Sequence, residues 1–232
     1  MAEHHLAHFD VTQWLVKEGV SMPARSLVYN VALNDSTEAV ERYVNEVQLD
    51  GSIKKKRVWS CPFYRRWLSM LKRCYSSKFH QQKPSYSNTV CCEEWLVFSK
   101  FKRWMEQQDW ENKELDKDIL GDGKLYSPDT CAFVNKVTNT FLNTCAKSRG
   151  QWPLGVSYDP AVNKFKANCS NPLSGKREIL GRFDTPEAAH EAWRKRKHEL
   201  AQLLADTEDD KRVSAALRVR FSVSHSRLPI DK

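Results

Sequence analysis

GVSYDPAVNKFKANCSNPLSGKREILGRFDTPEAAHEAWRKRKHELAQLLA, residues 155–205, holds three short strand-like runs followed by one long helical run. The strand-like runs are GVSYD, NKFKANC and REILGRF, with turn residues between them. Successive side chains of a strand point to opposite faces. In the second run that alternation sets Phe165, Ala167 and Cys169 on one face and Lys164, Lys166 and Asn168 on the other. Thr185, Pro186 and Glu187 then make a strong helix start: a hydroxyl cap, a proline at the first helical position and an acid at the second. The segment is expected to be a three-stranded antiparallel sheet packed on one helix, with its basic face left open.

Working outward, a short helix around VSAALRV and a polar tail are expected in 206–232, and Gly150 and Pro153 mark a boundary upstream. Residues 114–134, ELDKDILGDGKLYSPDTCAFV, carry two short runs flanking a Gly-Asp-Gly turn, which predicts a hairpin. A helix is expected to follow through Asn139 to about Asn143. Earlier in the chain, Pro62 opens a helix whose apolar face is Phe63, Trp67, Met70, Leu71 and Cys74. Glu93 and Glu94 signal the start of another, with Trp95, Phe98, Phe101, Lys102 and Met105 as its stripe. Aromatic residues at helical spacing read as core before they read as a ligand cage.

Residues 1–58 are the least legible. VTQWLVKEGV reads as a short helix, KKKRVW at 54–59 as a basic strand or arm, and His4, His5 and His8 as a polar terminus in preference to a metal site.

The 232 residues carry a formal charge of +8, from 37 Lys and Arg against 29 Asp and Glu. The excess is concentrated, because residues 54–109 alone hold thirteen basic side chains and four acidic ones. A basic stretch interleaved with Trp, Tyr and Phe suits a polyanion, since each neutralised phosphate releases counterions. No stretch approaches the ~18 apolar residues of a membrane span, so no membrane partner is expected. The start MAEHHLAHFD lacks the features of a signal peptide, and seven Cys, an odd number, argue for reduced thiols in a cytosol-like compartment. Cys74, Cys91, Cys92 and Cys131 are the candidates for a structural zinc, but adjacent Cys91 and Cys92 lack the usual knuckle spacing, and buried free thiols are the favoured reading.

GVSYD, KFKANC and LGRFDTPEAAHEAW together resemble the plant APETALA-type (ethylene-response-factor) DNA-binding domain. That resemblance implies a sheet inserted into the major groove, with Lys164, Lys166, Asn168, Arg177 and Arg182 as the DNA contacts. Arg and Lys fork onto guanine and Asn suits adenine, while phosphate contacts supply most of the affinity. WLSMLKRCY, the Cys-Glu-Glu-Trp step, LDKDI and YSPDTCAFV resemble the HNH (ββα-metal) homing endonucleases of bacteriophages. Nearly the whole chain is similar to the T7-like phage family that joins the two. By this resemblance the chain is α+β. An N-terminal arm or small subdomain (1–58) precedes an HNH-like nuclease domain (59–149), an APETALA-type domain (150–205) and a C-terminal helix and tail (206–232).

The activity so implied is hydrolysis of a duplex DNA phosphodiester with one Mg²⁺ or Mn²⁺, by a monomer or weak dimer in the cytoplasm of an infected bacterial host. Motif carry-over makes Asp116 and Asn139 the metal ligands and places Asp116, Lys117, Asp118 and Asn139 in the catalytic site. Lys117 stands where the family has its His base, and Thr130 where an Asn is common. A lysine ammonium is protonated at neutral pH, so it holds a phosphate better than it takes a proton. That leaves Asp118 or the cation's own water for the base role. Two rival readings remain open: Asp116 and Asp118 as turn or cap residues in a DNA-binding protein without catalysis, and a zinc-stabilised phage protein acting on a host partner.

Overall fold

The computed structural model describes residues 27–142 and 151–222. The expected helix at 11–20, the three N-terminal His, the last residue of the helix after 134 and the tail beyond 222 lie outside them. Among the described residues the fold is α+β, with six helices and four small sheets. The chain divides into two compact units, one of 27–109 with Gly123–Thr130 and one of Trp110–Asp122 with the described residues from Cys131 on. This grouping cuts across the linear segments 59–149 and 150–205.

In the first unit β1 (Glu41–Val47) and β2 (Ile53–Ser60) pair as an antiparallel ribbon. Cys61 and Pro62 then open α1 (Pro62–Tyr75). Its buried face is Tyr64, Trp67, Met70, Leu71 and Cys74. Tyr64 replaces the expected Phe63, because its ring meets Phe98 edge-on at 5.3 Å. The indole N–H of Trp67 donates to the carbonyl of Trp95 at 2.6 Å, so this ring can be fully buried without an orphaned donor. After α2 (Ser77–Gln82), β3 (Val90–Cys91) leads to the Glu93 region.

The helix expected from Glu93 is interrupted. Glu93–Leu96 is a single 3₁₀ turn, Val97 is extended, and α3 (Phe98–Glu106) begins only afterwards. A distant segment is responsible: Leu33 donates to the carbonyl of Leu96 and accepts from Phe98, drawing Val97 into a parallel bridge. Asp35 then caps the new helix by accepting from the Ser99 N–H at 2.9 Å.

The second unit begins with β4 (Glu114–Asp116). The hairpin expected across Gly-Asp-Gly does not form. β4 pairs antiparallel with β6 (Ala132–Val134), whereas β5 (Leu125–Tyr126) pairs parallel with β3 inside the first unit. Asp116 ends β4 by accepting the N–H groups of Asp118 and Ile119 on one carboxylate oxygen, so the strand stops well short of the glycines. α4 (Lys136–Leu142) follows, started by Asn135, whose side chain accepts from Thr138.

The C-terminal stretch folds as its pattern indicates, into a sheet in the order β7 (Val156–Asp159), β8 (Lys164–Ser170), β9 (Arg177–Phe183), all antiparallel. Thr185 caps α5 (Pro186–Ala205) by accepting from the Ala188 N–H. Asp210 caps α6 (Lys211–Arg220) in the same manner. The two segments share one core: Ile119, Ala132, Val134 and Phe141 pack in a single cluster with Cys169, Trp193, Leu200 and Leu217. Each large apolar side chain so buried contributes about 1.5–3 kcal/mol.

Candidate functional site

Two features of the second unit carry chemistry, and the first is the sheet face turned away from α5. Pairing of Lys166 with Ser157 and Arg182, and of Ser170 with Arg177, puts these residues on one face. The partner register slips between Ala167 and Asn168, which leaves Leu180 as an extra residue in β9. The slip takes place at Gly181, whose φ of 141° favours glycine. This bulge keeps Leu180 against the core while Ile179 and Arg177 stay outward. On the inner face Glu178 takes a two-pronged ion pair from Arg196 of α5, at 2.7 and 3.1 Å, tying strand to helix.

The five sequence-selected DNA residues therefore share a face, but not equally. Lys164 is paired with Asp184 at 2.9 Å and Arg182 with Asp159 at 3.0 Å, both in exposed ion pairs. Such exposed pairs contribute little to stability. Lys166 and Arg177 make no ion pair among the described residues. Asn168 departs from the expected outward role, since it is only 7% exposed and its amide donates toward the Ser157 hydroxyl at 3.4 Å. Ile179, 63% exposed opposite Asn168, was missed because its place on this face depends on the bulge.

The second feature lies along β4 and α4. Glu114 and Asp116, two residues apart on β4, share a strand face, and Asn139 of α4 donates its side-chain amide to Glu114. Asp116 is buried, and burial followed by the neighbouring charge of Asp118 holds its carboxyl above the ordinary range. Lys117 is also buried, with its ammonium 2.7 Å from Asp118, whose side chain is half-exposed. The backbone carbonyl of Asp118 accepts from Arg220 at 3.1 Å. Arg220 and Glu114 are further residues at this place that were not singled out in the sequence. A basic residue in the last turn of α6 reads first as a dipole partner. In the other unit Thr130 braces a turn, donating to the Leu125 carbonyl at 2.7 Å and accepting from the Ser127 N–H.

The donors along β4 and α4 are oxygens of the kind that Mg²⁺ and Mn²⁺ take. Among the described residues no group of three or more His, Cys, Asp and Glu side chains converges to hold a metal. The contact that joins α4 to β4 here runs from Asn139 to Glu114, and Asp116 accepts from the backbone N–H groups of Asp118 and Ile119. A buried carboxylate held above its ordinary range is a group that a divalent cation would stabilise. Cys74 and Cys91 lie together in the first unit, where a hydrogen bond from Cys74 lowers the Cys91 thiol.

Lys197 of α5 ties that helix to the end of α4. Its ammonium donates to the carbonyl of Phe141, at the end of α4, at 2.7 Å and lies 3.5 Å from the Phe141 ring centroid. The rings of Phe221 and Trp193 stand farther around it. Burial lowers its pKa to about 8. Lys197→Ala is expected to cost about 2–4 kcal/mol, from a cavity and an orphaned carbonyl. A folded-state pKa below the unfolded one gives stability that is present above the ordinary lysine range and lost as pH falls through about 8. The melting temperature of the wild type relative to Lys197→Met should therefore rise from pH 7 to 10. A flat difference would mean that Lys197 is not buried as described.

No protein-family model, no curated protein and no solved structure matches this chain.

Proposed function

We propose that this chain binds duplex DNA through the outer face of β7–β8–β9 and hydrolyses a phosphodiester at the β4–β6–α4 segment, as an HNH homing-type endonuclease. The observation that carries this reading is the open basic face, built on a sheet whose other side is closed by α5. Lys166 and Arg177 make no ion pair among the described residues, and Lys164 and Arg182 stand in exposed pairs there. An antiparallel strand pair followed by a helix, with an acid at the end of the first strand, supports the nuclease half.

In this reading Asp116 and Asn139 would hold one Mg²⁺ or Mn²⁺, which would offset charge on the leaving oxygen. Asp118 is the exposed carboxylate that takes a proton from the attacking water. Lys117, too buried to grip a phosphate directly, orients Asp118 through their ion pair. One such site per chain cuts one strand.

A second reading has its own observation. Asp116 already accepts two backbone N–H groups, the work of a turn residue. In that case β4–β6–α4 is scaffold and the chain binds DNA without cutting it.

Duplexes selected from a random-sequence pool for binding, then placed in supercoiled plasmid, test both. Open circles forming before linear DNA with Mg²⁺ or Mn²⁺, and none with EDTA, are expected. Binding with no cleavage in either metal would leave the second reading, and linear product first would remove the single-strand claim.

A further inference from the structure

The β1–β2 ribbon has no core side. Every residue from Arg42 to Val47 and from Ile53 to Trp59 is exposed, so both faces meet solvent. An isolated two-stranded ribbon is at best marginally stable in water. Yet this one is well formed. All seven residues of β1 pair with β2, with one bulge between Arg42 and Tyr43. The tip closes with Gly51 at positive φ and with Asp50 accepting from Ser52. Such an element is shaped for something other than packing.

Its charges indicate the partner. β2 is IKKKRVWS, four basic residues in eight with no acid. The two carboxylates of β1 are already matched, Glu46 by Lys56 at 3.0 Å and Glu41 by Arg57 at 2.7 Å. Lys54 and Lys55, on opposite faces near the tip, make no ion pair among the described residues. Arg42 lies over the Trp59 ring at 5.2 Å, which leaves an aromatic and cationic pair at the base. A second copy of the chain is a poor occupant, because strands with so many like charges repel each other edge to edge.

We infer that the ribbon is a second duplex-DNA contact, entering a groove or lying along its phosphates, separate from the sheet face; this rests on the DNA reading proposed above. Strands of seven and eight residues reach roughly 25 Å at ~3.3 Å per residue. The major groove of B-DNA admits a two-stranded ribbon. Exposed Val47 and Ile53 flank the lysines near the tip and replace water against sugar and base edges.

The test is the salt dependence of duplex affinity for the full chain, comparing wild type, Lys54→Gln/Lys55→Gln and Lys166→Ala/Arg177→Ala. Losing two phosphate contacts should flatten the slope of log K against log salt by about 2 and weaken binding ~10–50-fold near 0.15 M salt. The melting temperature should not move, since the lysines pack on nothing. A ribbon variant that binds with wild-type affinity and slope, while the sheet variant weakens, overturns the ribbon contact and leaves the DNA reading standing. Absence of salt-dependent duplex binding by the wild type removes the DNA reading and the ribbon contact with it. A wild-type dimer that Val47→Lys/Ile53→Lys dissociates, without change in DNA affinity, would overturn the inference in favour of self-association.

Discussion

Gly155→Ala is expected to remove about 3 kcal/mol or more of stability. Gly155 precedes β7 with φ of +76°, and a Cβ there would lie 2.0 Å from Cδ1 and 2.2 Å from Cγ of Trp193. The left-handed backbone alone costs a non-glycine residue about 1–2 kcal/mol. The clash adds more, because Trp193 has no vacant space to enter. Its ring is 7% exposed, stacks on His190 at 5.3 Å and belongs to the shared core. The Gly155 carbonyl also accepts from Asn168, so a shift of the backbone would disturb β8. Gly51→Ala provides the comparison, with φ of +80° but nothing within 4 Å of the added carbon. Urea midpoints should show Gly51→Ala costing only the backbone part. Equal losses at the two positions would mean that Trp193 does not pack over Gly155.

On the nuclease reading proposed above, Asp116→Asn is expected to lower nicking about 1000-fold or more while leaving the fold in place. The amide keeps an oxygen to accept from Asp118 and Ile119, so the turn that ends β4 survives. What disappears is the charge that would hold a divalent cation. Thermal melts provide an independent readout. Because burial and Asp118 raise the Asp116 carboxyl, the unfolded chain ionises first as pH rises. Wild-type stability from this group is therefore full in acid and is lost as pH rises through the raised value. Asp116→Asn has no such loss, so its melting temperature should gain on the wild type from acid to neutral pH. Wild-type nicking by Asp116→Asn would show that Asp116 serves only as a turn residue.

The C-terminal sheet and helix were legible because their signals are local. Thr185, Pro186 and Glu187 start α5, and alternation in NKFKANC sets the faces of β8. What could not be read depends on distant partners. The Gly-Asp-Gly turn looks like a hairpin until β5 finds β3, thirty-five residues earlier along the register of Val90 and Leu125. Nothing around Glu93 announces that Leu33 will pull Val97 out of helical geometry. Lys197, a charged residue inside the long helical run, is instead enclosed by aromatic rings. At the candidate site, Asp116, Lys117, Asp118 and Asn139 were chosen by resemblance, and the geometry adds Glu114 and Arg220. The outer sheet face was read almost whole. Asn168 lies on that face as the alternation indicates but is nearly buried there, which a period of two cannot reveal.

The core shared by β4, β6, α4 and the C-terminal sheet has a consequence for inheritance. Recombination at residue 150 would separate Val134 and Phe141 from Trp193, Leu200 and Leu217, exposing apolar surface on both fragments. Neither half could be exchanged for a foreign counterpart unless the new one matched the old in shape. The segments should therefore descend together, with substitutions on one side of this junction compensated on the other.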